Sequence, residues 1–385
     1  MLLMRQQLMT CAVLLAGFAA TAQETPRSIA NPPAQEITVI RNNAATPVKY
    51  QGITGTCWCF STVSLIESQC LKNGAAGQPD LSEMFVVRNV YLMKARNYVK
   101  RQGAAQFGEG GLGHDVLIAA GRDGLMPESV YSGKLPGQEQ FNHGKMADTL
   151  KKFLDTLLRR RPVDPKWEQG FAALMDQYMG AAPPAKFEYN GKTYTPQEYA
   201  KQVVKFDPAD YVSLTSFTHH PFYSSFVLEL PDNHANGSFY NISLNELIGA
   251  TWNAVQKGYT VMWDADVSNR GFAHDGGYAL SPKYDSLWNR QQPDPSAAEV
   301  NVTPEYRQEL FEKLVTQDDH LMHITGIGKG KGDKRFFIVK NSWGVGSKFE
   351  GYLYVSEPYF AVNTINVVVP KAALDKELKK KLQLL

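Results

Sequence analysis

Cysteine is scarce in this chain. Its 385 residues contain four, Cys11, Cys57, Cys59 and Cys70, too few for a disulfide-stapled scaffold. A surplus of either charge is also missing. Lys and Arg number 40 against 38 Asp and Glu, a formal net charge of +2. With no long basic run, the electrostatic footprint of a nucleic-acid binder is absent. Beyond the N-terminus no apolar run reaches the ~20 residues that a membrane-spanning helix needs. Neither internal repeats nor low-complexity tracts interrupt the sequence. What remains is ordinary globular material, 43% hydrophobic and 20% charged, long enough for two or three domains or one large two-lobed one.

The first 22 residues stand apart. One charge, Arg5, precedes an apolar stretch from about Leu8 to Ala20, which closes on Ala20-Thr21-Ala22. This pattern predicts a secretory signal peptide over residues 1–22, cleaved before Gln23, and therefore an exported protein, periplasmic or secreted. Cys11 lies too early for a lipoprotein anchor. Its removal leaves three cysteines, so at least one thiol is unpaired within the chain; whether Cys59 and Cys70 pair is left open. Residues 23–45, polar and holding Pro26, Pro32 and Pro33, read as a leader or linker.

Residues 46–131 read as mostly helical. Helices are predicted over Cys57–Leu71, stopped by Asn73-Gly74, over Ser82–Arg101, and over His114–Arg122, stopped by Gly124. Residues 132–205 are more polar and helix-rich and look like an insertion. From Tyr211 the character changes to short β-branched and aromatic runs, among them Tyr259–Trp263, Phe336–Val339, Tyr352–Val355 and Ile365–Val369. Helices first and strands later predict an α+β fold with a helical lobe and a mainly β lobe over 206–370. The Leu374, Leu378, Leu382 and Leu385 spacing predicts an amphipathic helix in the lysine-rich tail, 371–385.

Three segments carry chemistry. In Gln51-Gly52-Ile53-Thr54-Gly55-Thr56-Cys57-Trp58, a glycine-bearing loop leads into a helix whose first turn holds Cys57. Unpaired N–H groups and the helix dipole there favour a thiolate. The Cys57 N–H and the Gln51 side-chain amide are the natural donors to an oxyanion. The second segment contains Asp319-His320-Leu321-Met322-His323, and the third Asn341-Ser342-Trp343-Gly344. Twenty-one residues separate His320 from Asn341, enough for a strand, a turn and a return strand. Such a hairpin lets the Asn341 amide oxygen accept from one ring nitrogen while the other faces Cys57. Trp343 would shield that bond from water.

Gln51, Cys57-Trp58, Asp319-His320 and Asn341-Ser342-Trp343-Gly344 resemble the papain superfamily in order and context. From about Val48 onward the chain is similar to the bleomycin hydrolase / aminopeptidase C family. That match runs through Leu81-Ser82-Glu83, Gly124–Tyr131, Thr218–Tyr223, Trp263–Ser268 and Val367–Lys371. The resemblance implies a papain-like two-lobed fold and a cysteine peptidase. Cys57 is then the nucleophile, His320 the base, Asn341 its orienting partner and Gln51 the oxyanion-hole glutamine. Gly110 and Gly111 match the glycines along which substrate backbone lies, and Trp58 and Trp343 are supporting residues. His323 competes with His320, but Gly326 six residues on and the Asp-His pair fit the family register at His320. The family further implies peptide substrates and hexameric rings.

Three departures follow. Cys59 replaces a small apolar residue and reads as buried. A signal peptide contrasts with a cytosolic family. In that family a C-terminal arm enters the cleft and its carboxylate captures the substrate amine, whereas a helical tail ending at Leu385 would leave the cleft open. Aminopeptidase or mixed amino- and endopeptidase specificity is therefore expected, with the open cleft favouring internal cleavage slightly. The stretch between Gln23 and Gln51 is too short for a papain-type inhibitory pro-segment, so activity on folding is expected. The alternatives are a papain-fold amidase or acyltransferase, or an inactive peptide-binding module. No cofactor is expected. His219-His220 reads as structural rather than metal-binding, because no acidic or cysteine ligand lies at metal spacing.

Overall fold

The central element is helix α1 (Cys57–Lys72), buried on almost every side. Such a helix belongs between two layers rather than on a surface. In this computed structural model, which describes residues 36–75 and 78–385, one layer is helical and the other is a large sheet. The expected signal peptide, its cleavage site and most of the leader lie outside the described residues. The end of the expected linker does not behave as one. Its β-branched Ile-Thr-Val-Ile run forms strand β1 (Ile37–Asn42), paired antiparallel along residues 326–330.

In the helical lobe α1 is joined by α2 (Glu83–Lys100) and α3 (Gly113–Asp123). Ser82 starts α2 by accepting from the Phe85 N–H, and Gly124 ends α3 at φ 86°, a geometry suited to glycine. The inserted residues add α4 (Met146–Leu158) and α5 (Trp167–Met179). They also form a hairpin of β2 (Phe187–Tyr189) and β3 (Lys192–Tyr194) before α6 (Pro196–Tyr199). The insertion is thus helical with a small sheet of its own, and its Leu150, Leu154, Phe171 and Met175 join the same core as Trp58 and Tyr91.

The second lobe is built on β4 (Tyr211–Thr215), β5 (Ser225–Val227), β6 (Ser238–Asn241), β7 (Val261–Ala265), β8 (Phe272–Ala273) and β9 (Tyr278–Ala279). It continues through β10 (His320–Gly330), β11 (Arg335–Lys340), β12 (Tyr352–Ser356) and β13 (Thr364–Pro370). Their order is β5-β6-β4-β13-β7-β10-β11-β12-β9-β8, with β1 on β10. Helices α7 (Leu244–Gln256), α8 (Pro304–Glu312) and α9 (Glu357–Asn363) flank this sheet. One sheet face meets α1; the other packs Trp263, Phe337 and Phe360 into a second core.

The tail is less helical than its leucine spacing predicts. After a 3-10 turn at Lys371–Ala373 only α10 (Lys376–Lys381) forms. Leu374, Leu378 and Leu382 are buried in the second core, Lys381 pairs with Glu246 at 2.7 Å, and Leu385 is 75% exposed. Within the described residues no helix is long and apolar enough to cross a membrane.

Candidate active site

The β10–β11 hairpin forms as the 21-residue spacing requires. His323 lies opposite Lys340 in the ladder, and Gly332 takes φ 69° in the turn. His320 is the first residue of β10, and Asn341 directly follows β11, so both project from one end of the hairpin. His320 Nε2 lies 2.7 Å from Asn341 Oδ1. The Ser342 N–H also donates to that oxygen, at 2.8 Å, which identifies it as the acceptor. Asn341 Nδ2 faces His274 Nδ1 at 3.3 Å. With Nε2–H committed to Asn341, Nδ1 is the basic nitrogen of a neutral His320.

Trp343 covers this pair, with ring centroids 4.6 Å from His320 and 5.0 Å from His274. His323 points elsewhere. Three residues along a strand is an odd step, which reverses the face. Its Nδ1 meets Ser64 of α1 at 2.9 Å, and Lys340 Nζ reaches the same hydroxyl at 2.7 Å.

Gln51 is positioned by a short backbone pairing across the lobes. Its N–H donates to the Ser342 carbonyl at 2.9 Å, the Gly344 N–H donates to Lys49, and Tyr50 bridges Trp343. The Ser342 hydroxyl donates to Gln51 Oε1 at 2.7 Å, while Gln51 Nε2 donates one hydrogen to Thr54 O at 2.7 Å. A second Nε2 hydrogen remains. Gly52 has φ 66°, and a Cβ there would lie 2.4 Å from the Phe141 carbonyl, so the loop before α1 requires glycine. Among the described residues the Cys57 N–H at the start of α1 finds no acceptor. Trp58 is wholly buried, and its indole N–H bridges Gly55 O and Glu109 O.

Cys57 and His320 are 8% and 4% exposed and make no hydrogen bond to each other. The N–H groups of Leu321 in β10 and of Trp58 in α1 favour a Cys57 thiolate, the second as the helix start predicts. Burial opposes it more strongly, aided by Asp318 and Asp264, and pushes the thiol up to about 12. Burial also brings His320 down to about 4, against the Asn341 hydrogen bond. The thiol pKa therefore moves opposite to the expectation drawn from helix position, because desolvation outweighs a partial charge.

Cys57, Cys59 and Cys70 are all free. Cys59 is wholly buried, its thiol against Glu83 O at 3.3 Å, as its reading as a core residue requires.

Gly111 borders the Trp58 indole and Gly110 borders Asp232, so they are not an open rail. A Cβ on Gly111 would lie 3.2 Å from Trp58, and one on Gly110 would lie 1.8 Å from Asp232 Oδ2. Lys94 Nζ takes the Gly110 carbonyl. Sequence reasoning missed Asp232, a loop residue that nothing in the sequence marks. It also missed the carboxyl pair Asp264–Asp318. Asp264 carried a signal, a carboxylate inside the apolar run that became the fully buried β7.

The reason given against metal binding at His219-His220 is overturned in part, since the fold brings Glu229 to the pair. Its carboxylate lies 3.3 Å from His219 Nε2 and 2.7 Å from His220 Nε2. Yet Gln308 fixes the tautomer. Its Oε1 accepts from the Thr218 N–H and its Nε2 donates to Glu312, so Nε2 also donates to His219 Nδ1. The His219 proton then lies on Nε2, directed at Glu229, where a metal would need a lone pair.

Comparison with known proteins identifies the family. The Peptidase C1-like family matches residues 184–384, and the papain family of cysteine proteases matches residues 34–131. The chain is 24% identical to Aminopeptidase C of Listeria monocytogenes, over 87% of this chain and 82% of that protein. It is 24% identical to mitochondrial cysteine proteinase 1 of Saccharomyces cerevisiae, over 88% and 77%. The crystal structure of pepw from Lactobacillus rhamnosis superimposes with a TM-score of 0.72 at 17% identity, covering 90% of this chain and 85% of that one. That likeness establishes a shared papain-like fold. With more than half its residues matched by the first family, this chain belongs to the Peptidase C1-like family and is a cysteine peptidase.

Proposed function

We propose that the chain hydrolyses peptide bonds through an acyl-enzyme on Cys57, with His320 as the base, Asn341 orienting it, and a preference for substrates with a free amino terminus. The observation that carries the site assignment is the His320–Asn341 hydrogen bond, which leaves Nδ1 as the free basic nitrogen.

Burial penalises each charge alone, so a thiolate forms only together with an imidazolium, by transfer of the Cys57 proton to His320 Nδ1. The thiolate attacks the scissile carbonyl carbon. The oxyanion is held by the Cys57 N–H and the remaining Gln51 Nε2 hydrogen. Collapse breaks the C–N bond, and His320 gives its proton to the departing amine. Water, deprotonated at the same Nδ1, then cleaves the thioester and restores the thiol.

Cysteine-type aminopeptidase action is supported by relatives that bear the name Aminopeptidase C in Listeria monocytogenes and Lactobacillus helveticus. This moves the balance away from the internal cleavage that an open cleft suggested. A hexameric ring and export through residues 1–22 remain part of the proposal, supported by family resemblance and by the N-terminal pattern respectively. Cys57→Ala tests the site: peptide hydrolysis should vanish while the thermal transition is kept. Retention of activity within about tenfold of the parent would contradict it, since loss of a triad member typically costs far more.

A further inference from the structure

We propose that the loop between β5 and β6 closes one end of the cleft and that its Asp232 anchors the α-ammonium group of the substrate. The inference rests on the peptidase reading above and assigns its amino-terminal preference to a residue within the fold.

The loop crosses from the sheet lobe onto the helical lobe and is built to stay there. Asn233 closes it on itself, donating to Leu228 O and Gly237 O and accepting from the Gly237 N–H at 2.8, 3.0 and 2.7 Å. Asn97 of α2 holds the His234 carbonyl at 2.9 Å, and Gln106 holds Asp232 Oδ1 at 2.8 Å. A Cβ on Gly237 would lie 2.4 Å from the His114 ring, so loop and helix α3 meet without a gap.

This seating brings Asp232 Oδ2 to the place where Gly110 lacks a side chain. A peptide extended past its amino terminus would need that edge, and its Gly110 carbonyl is already bonded to Lys94. Such pairing requires free backbone on the receiving edge. The loop therefore bars longer chains and offers a carboxylate to a chain that ends there.

A second observation concerns the charges around Asp232. Asp264 is wholly buried, and its Oδ1 has no hydrogen-bond donor, while Oδ2 accepts from Asn366 Nδ2. Asp264 hydrogen-bonds Asp318, burial raises both carboxyls so that the pair shares a proton, and the charge of Asp232 acts on both. Lys94, the cation facing Asp232, Asp115 and Glu109, directs its hydrogens to the Gly108 and Gly110 carbonyls instead. With Lys94 engaged by backbone carbonyls and the buried carboxyls around it favouring their neutral forms, the Asp232 carboxylate at the blocked edge is the group that suits an arriving ammonium.

The test is kcat/KM on a matched pair of peptides, one with a free amine and one N-acetylated. Parent, Asp232→Asn, Asp232→Glu and Asp318→Asn are compared, each with Cys57 labelling as a count of intact sites. Asp232→Asn should lose roughly 10- to 100-fold on the free-amine peptide, mainly through KM, the scale of one charge-assisted contact. The acetylated peptide should be unaffected or cleaved faster. Asp232→Glu should restore part of the preference, and Asp318→Asn should weaken it. An unchanged ratio in Asp232→Asn with Cys57 still labelled would overturn the inference and leave the peptidase reading intact. A parent enzyme that cleaves neither peptide and does not label at Cys57 would overturn both.

Discussion

Asn341 Oδ1 lies 2.7 Å from His320 Nε2 and 2.8 Å from the N–H of Ser342. One acceptor thus fixes both the tautomer and the tilt of the imidazole. Asn341→Ala leaves a buried N–H unpaired, which costs about 1–3 kcal/mol. The expected outcome is a roughly 10- to 100-fold lower kcat with KM little changed. A change confined to KM would remove Asn341 from the orienting role.

The two histidines of β10 predict opposite phenotypes. His320→Ala should lower kcat on the order of 10⁴-fold with the fold retained. His323 bonds Ser64 within a buried group that includes Lys340, so His323→Ala should lower the melting temperature and leave kcat within about tenfold of the parent. That follows from a loss of buried polar contacts rather than chemistry. Steady-state kinetics beside thermal melts separate them, and the reverse pattern would move the base to His323.

Gln51 has one amide hydrogen on Thr54 and its oxygen on Ser342, which leaves the other hydrogen free for an oxyanion. Gln51→Ala should cost on the order of 10²–10³ in kcat, the usual loss for one oxyanion donor. If KM alone changes, Gln51 positions substrate instead.

Acid should destabilise the fold. Burial lowers His143 to about 4 and His323 well below its ordinary 6.5. These groups stay neutral in the fold and take up protons on unfolding below pH 6.5. Their contribution is therefore present above that pH and is lost as pH falls toward 4. Melting temperatures should drop steeply between pH 6.5 and 4.5; a flat profile there would mean that these histidines are not held neutral.

Much of this was legible in the sequence because local rules and tertiary needs agreed. The start of α2, the Gly124 stop and the His320–Asn341 hairpin all follow from capping, glycine geometry and strand spacing. What escaped depended on contacts distant in the chain. Residues 37–42 read as linker because only β10 gives them a partner. Asp232 meets Gly110 across more than a hundred residues, and the burial that displaces the Cys57 and His320 pKa values arises only when the lobes close. The tail kept its leucine spacing but formed a shorter helix, because Leu374 and Leu382 dock outside the helical turns.

The central claim is that Cys57 is a nucleophile whose thiolate exists only with the His320 imidazolium. Its most direct measurement is the pH dependence of iodoacetamide labelling, followed by peptide mapping and residual hydrolysis. The account predicts that Cys57 alone is labelled, well below the ordinary thiol pKa of about 8.5, that labelling abolishes hydrolysis, and that His320→Ala removes the low-pH reactivity. Labelling that spreads over Cys59 and Cys70, or that reaches Cys57 only at strongly alkaline pH while hydrolysis persists at neutrality, would contradict it.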